Sequence, residues 1–390
     1  TPGTARSGYS VTYATPGTIT VNTKTLTVNA GTTTVADKVY DGTTTATLSG
    51  GTLNGVINGD TVNLVQAGSF TSANVSLVSN VPAAVSVTAA DAITGPQAGN
   101  YTLTQPTGLS AIIRPKALTM SGLAANDKVY NGTVTAVVTG TAVLTGSEAA
   151  GTGTNIDGKW YSVDTVSITG PPGLAAYGTF NSKNVAEANN VTFSGLSLTG
   201  AQAGNYTLTV QSPATAHITP KTVTLSASKT YDGTTSLAGY VTVGGTVTVS
   251  GNTEVLGYTA AAANDAHVGT LSKYISAMAL TDGGTGVTTG LASNYALPTL
   301  NAANAPVTIN AKALSVNGTS VTSRVYDGTL TATLSGGSIG GGVLGDTLVL
   351  TQTGTYASKD VANGIAVTVA NSFSVGSTTN GSVQGDYSLP

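Results

Sequence analysis

The chain has 390 residues, more than one ordinary domain needs, and only 8% of them are charged, with a net charge of −3. That balance gives no clustered basic surface for nucleic acid, and no apolar run is long enough for a membrane-spanning helix. With no cysteine, disulfides, thiol nucleophiles and Cys-ligated metals are excluded together. Glycine is abundant at 50 residues, while Thr, Val and Tyr outweigh the strong helix formers. The composition therefore predicts an all-β chain with many turns.

In chain order, residues Gly8–Lys24 match the last two strands of a repeat, with Tyr9 in SGYSVT and Val21 three positions before Lys24. A longer phrase follows, KVYDGTTTATLSGG at Lys38–Gly51. It returns as DKVYNGTVTAVVTG from Asp127, KTYDGTTSLAGYV from Lys229 and RVYDGTLTATLSGG at Arg324–Gly337. The tyrosines of these phrases, Tyr40, Tyr130, Tyr231 and Tyr326, are 90, 101 and 95 residues apart. A second tyrosine closes each repeat in AGNYTLT (Tyr101), AGNYTLT (Tyr206), ASNYALP (Tyr295) and GDYSLP (Tyr387). A lysine then opens the next repeat, with an apolar residue two positions on: Lys24/Leu26, Lys116/Leu118, Lys221/Val223 and Lys312/Leu314.

A period near one hundred residues is the size of a β-sandwich rather than a solenoid coil. The reading is an all-β fold of tandem immunoglobulin-like β-sandwich repeats forming an elongated rod, each repeat with its own core. The expected divisions are 1–25 (terminal strands of a preceding repeat), 26–117, 118–222 (with an insertion near 146–165), 223–313, and 314–390, which lacks its last strand. Period-two alternation predicts one buried face at Tyr40, Thr44, Ala46 and Leu48, with counterparts at Tyr130, Val134, Ala136 and Val138 and at Tyr326, Leu330, Ala332 and Leu334. The junctions IIRPKALTM, ITPKTVTL and INAKALSV hold no Gly/Ser linker, which predicts stiff joints. The junction lysines read as solvated residues covering a strand edge.

Asp-Gly or Asn-Gly after the tyrosine is a turn signal, since Gly accepts positive φ and Asn/Asp tolerates it. The structural turn residues are thus Tyr40, Asp41, Gly42; Tyr130, Asn131, Gly132; Tyr231, Asp232, Gly233; and Tyr326, Asp327, Gly328. Each tyrosine is expected to bury its ring and give its hydroxyl to the backbone, as a tyrosine corner does.

These three motifs, in the same order across the chain, resemble the YDG-type repeats and the related MBG repeats of very large bacterial exoproteins of the filamentous-haemagglutinin, two-partner-secretion kind. The resemblance implies an extracellular or cell-surface adhesin in which the repeats form a stalk, and no enzymatic activity. Two departures stand out: Asn131 replaces the aspartate, and the third repeat lacks the Gly-Asp-Thr of Gly59–Thr61 and Gly345–Thr347.

No constellation for catalysis is expected. His217 and His267 fall at different phases of different repeats, and the scattered acids do not suggest calcium, so no metal or cofactor is predicted. An amide between Lys116 and Asn100 would need a buried acid nearby, which the sequence does not locate, so these read as surface residues. Trp160 and Tyr161 in the insertion have two readings: a contact for host or biofilm glycans, or a longer hairpin packed on its own domain edge. The open first and last strands also have two readings: a window cut from a longer repeat array, or head-to-tail strand donation in which Gly17–Lys24 fills the fourth repeat of another copy. Expected partners are therefore neighbouring repeats of the same or another copy.

Overall fold

The computed structural model describes residues 18–284 and 289–390; the tyrosine copy at Tyr9 and residues 1–17 of the first expected segment lie outside the described residues. The fold is nearly all β, as the scarcity of helix formers predicts. Helical backbone among the described residues is confined to four single turns, Ala98–Asn100, Ala203–Asn205, Ala292–Asn294 and Gln384–Asp386. Each immediately precedes the second tyrosine of its repeat. No helix among the described residues is long and apolar enough to cross a membrane.

Each repeat contributes two layers. In the first, the lysine anchor and the second tyrosine are direct neighbours in parallel strands: Lys24 opposite Tyr101, Lys116 opposite Tyr206, Lys221 opposite Tyr295 and Lys312 opposite Tyr387. In the second, the strand leading into the YDG phrase runs parallel to the last strand of the repeat, with Lys38 opposite Ile113, Lys128 opposite Ile218 and Lys229 opposite Ile309. The first repeat extends this layer antiparallel through Val81–Ala89 and Gly68–Phe70 to Thr45–Ala46. Alternation sets which side is dry: Leu109, Ala111 and Ile113 are buried, as are Val85, Val87 and Ala89. Of the expected face, Tyr40, Ala46 and Leu48 are buried, whereas Thr44 is exposed because the regular strand starts only at Thr45.

The chain forms two compact units. The first runs to Ala124 and includes Val138–Tyr177 and Phe193–Pro213; the second comprises Ala125–Val137, Gly178–Thr192 and Ala214–Pro390. The division falls within the second repeat, so packing and sequence repeat are out of phase. In the first unit the buried apolar cluster joins the second layer of repeat one (Tyr40, Phe70, Val87, Ile113) to residues of repeat two (Leu118, Tyr161, Val166, Tyr206). The core that each repeat was expected to close alone is here shared by two. Fully burying a side chain such as Ile113 or Leu118 contributes about 1.5–3 kcal/mol, so the junction is held by apolar area as well as by the chain.

Candidate interface between consecutive repeats

The YDG phrase is a turn built around a cation. Asp41 Oδ1 accepts from the Thr43 amide (2.8 Å) and hydroxyl (2.9 Å), closing the turn, and Gly42 follows at φ +75°. Lys38 Nζ fills the middle, donating to Asp41 Oδ1 (2.7 Å) and to the carbonyls of Thr43 (2.7 Å) and Thr45 (3.1 Å). Lys128 does the same with Asn131, Thr133 and Thr135, and Lys229 with Asp232, Thr234 and Ser236. In the fourth repeat Arg324 takes the lysine's place beside Asp327 (2.6 Å). Asn131 keeps the acceptor oxygen and loses the charge, and burial lowers the pKa of Lys128. Burial works against the Asp232 carboxylate, but Lys229 and the Thr234 donors outweigh it and hold its pKa below the usual range. The lysine two residues before the tyrosine is thus part of the turn, which sequence reasoning missed.

The turn aims the tyrosine into the following repeat. Tyr40 is 3% exposed, Tyr130 2% and Tyr231 1%. Tyr40 Oη donates to Asp164 Oδ2 (2.9 Å), and Tyr206 Oη donates to the same oxygen (2.5 Å) while accepting from the Tyr161 amide (3.0 Å). The two rings meet edge to face, 5.3 Å apart. At the next joint Glu254 accepts from Tyr130 (2.7 Å) and Tyr295 (2.6 Å), the Val247 amide donates to Tyr295 Oη (3.0 Å), and the rings lie 5.4 Å apart. At the third, Tyr231 meets Ser382 (2.6 Å), Tyr387 donates to Asp346 and accepts from the Val343 amide (3.1 Å), and the rings are 5.5 Å apart. Burial first, and then the adjoining carboxylate, raises the pKa of Tyr40, Tyr130, Tyr206 and Tyr295; Tyr387 is pushed up to about 12 for the same reasons.

This corrects the tyrosine-corner expectation. The backbone partner belongs to the second tyrosine of each repeat, and the YDG tyrosine instead finds a side chain of the next repeat. It also explains the missing Gly-Asp-Thr of repeat three, where Glu254 does the work of Asp60, Asp164 and Asp346.

A smaller contact accompanies each tyrosine. The Val75 amide donates to Asn205 Oδ1 (2.9 Å), and Asn205 Nδ2 donates to Asn74 (2.8 Å). Asn294 repeats this with the Val185 amide (2.9 Å) and Asn184 (3.1 Å). At the third joint Asp386 replaces the asparagine and His267 replaces its partner, with Val268 N at 2.7 Å and His267 Nδ1 at 2.8 Å. Both members change together, keeping the bond. The only sequence signal was the repeated Asn before the second tyrosine.

In the fourth repeat the corresponding half-joint is exposed. Tyr326 is 56% exposed, Val325 88% and Val361 86%. Arg324, Val325 and Tyr326, with Tyr356, Ile365 and Val367, line a groove of about 800 Å³. No described strand pairs with Arg324–Val325, the position that Leu109–Arg114 fills in repeat one. The first repeat carries the complementary half: Tyr101 already donates to Asp60 and accepts from the Ile57 amide (3.1 Å), while Asn100 is exposed. Thr18–Thr23 are exposed ahead of it, with Ile19 at 87% and Val21 at 86%.

The remaining sequence candidates lie elsewhere. Tyr161 is 2% exposed and Trp160 is half-buried against the core cluster, so the insertion turns its aromatic pair inward. His217 is an exposed neighbour of Asp127 (3.7 Å), and His267 belongs to the third joint. Among the described residues no group of His, Asp and Glu could hold a metal ion. Of the junction lysines, Lys24 is exposed and Lys221 and Lys312 are half-buried, but Lys116 is wholly buried, contrary to the solvated position expected for it.

A family model described as the YDG domain matches residues 22–108, 114–216 and 310–390. The stretch between the last two matches is the third repeat, in which Glu254 stands in place of the aspartate. No curated protein and no solved structure matches the chain.

Proposed function

Because the chain belongs to the YDG domain family, we propose that it is a non-enzymatic, extracellular repeat region that serves as the stalk of a bacterial surface adhesin and extends itself head to tail by strand donation. The observation that carries the reading is the burial of Tyr40, Tyr130 and Tyr231 in the repeat that follows each of them. A joint of this kind suits a load-transmitting array, since consecutive repeats share core residues instead of a flexible linker.

Two surfaces support head-to-tail extension: the groove beside Arg324–Val325, with which no described strand pairs, and the exposed residues 18–23. In repeats one to three the groove beside the YDG strand is filled by an alternating strand whose last buried residue stands three before a lysine: Ile113, Ile218 and Ile309. Val21 stands three before Lys24 with Ile19 on the same side. Residues 18–23 of a second copy supply that strand, Tyr326 then meets Asp60 and Tyr101, and Asn100 meets the Val361 amide. Such a contact is heterologous and propagates. The inward-facing Tyr161 gives no support to the alternative of glycan binding through the insertion.

Light scattering over a concentration series tests this. The expected result is a mass that grows with concentration in the intact chain and stays monomeric when residues 18–24 are deleted. A monomer at every concentration ends the strand-donation reading. Labelling of intact producing cells tests the location; label reaching the repeats only after lysis ends the surface reading.

A further inference from the structure

Lys116 opens the strand Lys116–Ala125 directly after Arg114 and Pro115, where the chain passes from repeat one to repeat two. Its side chain is 0% exposed. The insertion places two carboxylates over it: Glu148, on the strand Ser147–Glu148, is 9% exposed, and Asp157 is 20% exposed. Lys116 Nζ donates to Glu148 Oε1 and lies 3.0 Å from Asp157 Oδ1. The Tyr161 ring closes the other side, its centroid 4.4 Å from Nζ. A buried ammonium needs at least one partner; this one has two, in a position where Lys24 is exposed and Lys221 and Lys312 are only half-buried, none of the three beside an insertion.

The two acids are held differently. Asp157 accepts backbone donors at both oxygens, Lys159 N at Oδ1 (3.0 Å) and Thr154 N at Oδ2 (3.1 Å). These amides would stabilise the oxygens of a tetrahedral carbon formed at Cγ. Glu148 is directed at Nζ and also lies beside the Asp157 carboxyl, both side chains crowding Gly153. Lys116 Nζ lies 3.0 Å from Asp157 Oδ1, in direct contact with the carboxyl whose Cγ it would attack.

We propose that Lys116 and Asp157 join in an intramolecular amide, with Glu148 carrying the protons. Glu148 takes a proton from the Lys116 ammonium and passes it to Asp157. The neutral Nζ attacks Cγ, forming the N–C bond. Glu148 then removes a proton from the new nitrogen and delivers it to an Asp157 oxygen, which leaves as water as the C–O bond breaks. One ammonium and one carboxylate become one amide and one water, Glu148 is regenerated, and no oxidant or co-reactant enters. Burial opposes the ammonium, but the two carboxylates outweigh it and keep its pKa raised, so the ion pair is the resting precursor and the reaction is slow and single-turnover. The amide would fasten the insertion to the strand that enters repeat two. It does not depend on the stalk reading, and either can fail without the other.

The test is the intact mass of the folded 390-residue chain after incubation at neutral pH, followed by peptide mapping. The expected result is a mass lower by one water and a linked pair of peptides holding Lys116 and Asp157, with E148Q and D157A both at full mass. E148Q keeps the size of the side chain, and circular dichroism checks that it folds. Full mass in the wild-type chain overturns the proposal. So does a water loss mapped to a cyclic imide at Asp157–Gly158, with Lys116 free. A link to Glu148, or a link persisting in E148Q, overturns the assigned roles.

Discussion

Gly132 and Gly328 occupy the same place in their turns, at φ +76° and +74°, yet they meet different surroundings. A Cβ on Gly132 would come within 2.5 Å of a Val249 methyl and 3.1 Å of one on Val247, both in the following repeat, whereas one on Gly328 would meet only its own Tyr326 hydroxyl at 4.0 Å. Gly328→Ala isolates the backbone cost, about 1–2 kcal/mol for a side chain in the left-handed region. Gly132→Ala adds overpacking of about 1–3 kcal/mol. Chemical denaturation of the two variants checks this; equal losses would mean that Gly132 makes no joint. The glycine was legible in the sequence as a turn residue because positive φ is a local demand. Its second task was not, because the valines it touches lie more than one hundred residues away and have no motif of their own. Asp164 and Glu254 differ in their distance from the YDG tyrosine of their own repeat, yet they keep step with the second one. Asp60, Asp164, Glu254 and Asp346 stand 41, 42, 41 and 41 residues before it, a signal in the sequence that the motif reading passed over.

Strands make the second scale. The lysine, the second tyrosine and the apolar residue three before each lysine could be read as strand markers, since alternation is local. Their parallel pairing could not, because nothing in either strand's sequence specifies a parallel partner some eighty residues away. The groove beside Arg324–Val325 in repeat four follows the same YDG strand as in the other repeats, and the structure adds its lining. If residues 18–23 fill it, Val21 takes the place of the buried Ile113. Burying a valine is worth about 1.5–3 kcal/mol, so Val21→Asp is expected to weaken association at least tenfold by light scattering. Val21→Ile should preserve it. Unchanged association in Val21→Asp would show that residues outside this strand drive it.

For the molecule as a whole, the joints make a distinctive alkaline transition. The pKa values of Tyr40, Tyr130, Tyr206, Tyr231, Tyr295 and Tyr387 are raised above 10.0 by burial and, for all but Tyr231, by a hydrogen-bonded carboxylate. Below the unfolded value, near 10, both states hold the protons and the stabilisation is complete. As pH rises from 10 towards 12 the unfolded chain ionises first, binds fewer protons than the folded one, and stability falls. Tyrosinate absorbance should therefore show the joint tyrosines ionising late, together with unfolding. One smooth titration near 10 with the fold retained would place these phenols in solvent.

The central claim is that each YDG tyrosine holds the next repeat. Hydrogen exchange across the full chain, comparing wild type with Tyr130→Ala, tests it most directly. Removing so large a buried side chain costs about 3–5 kcal/mol. The account predicts lost protection around Lys128–Val129 and also at Val247, Glu254 and Tyr295, in the repeat that follows. Lost protection confined to residues 116–219 would contradict it.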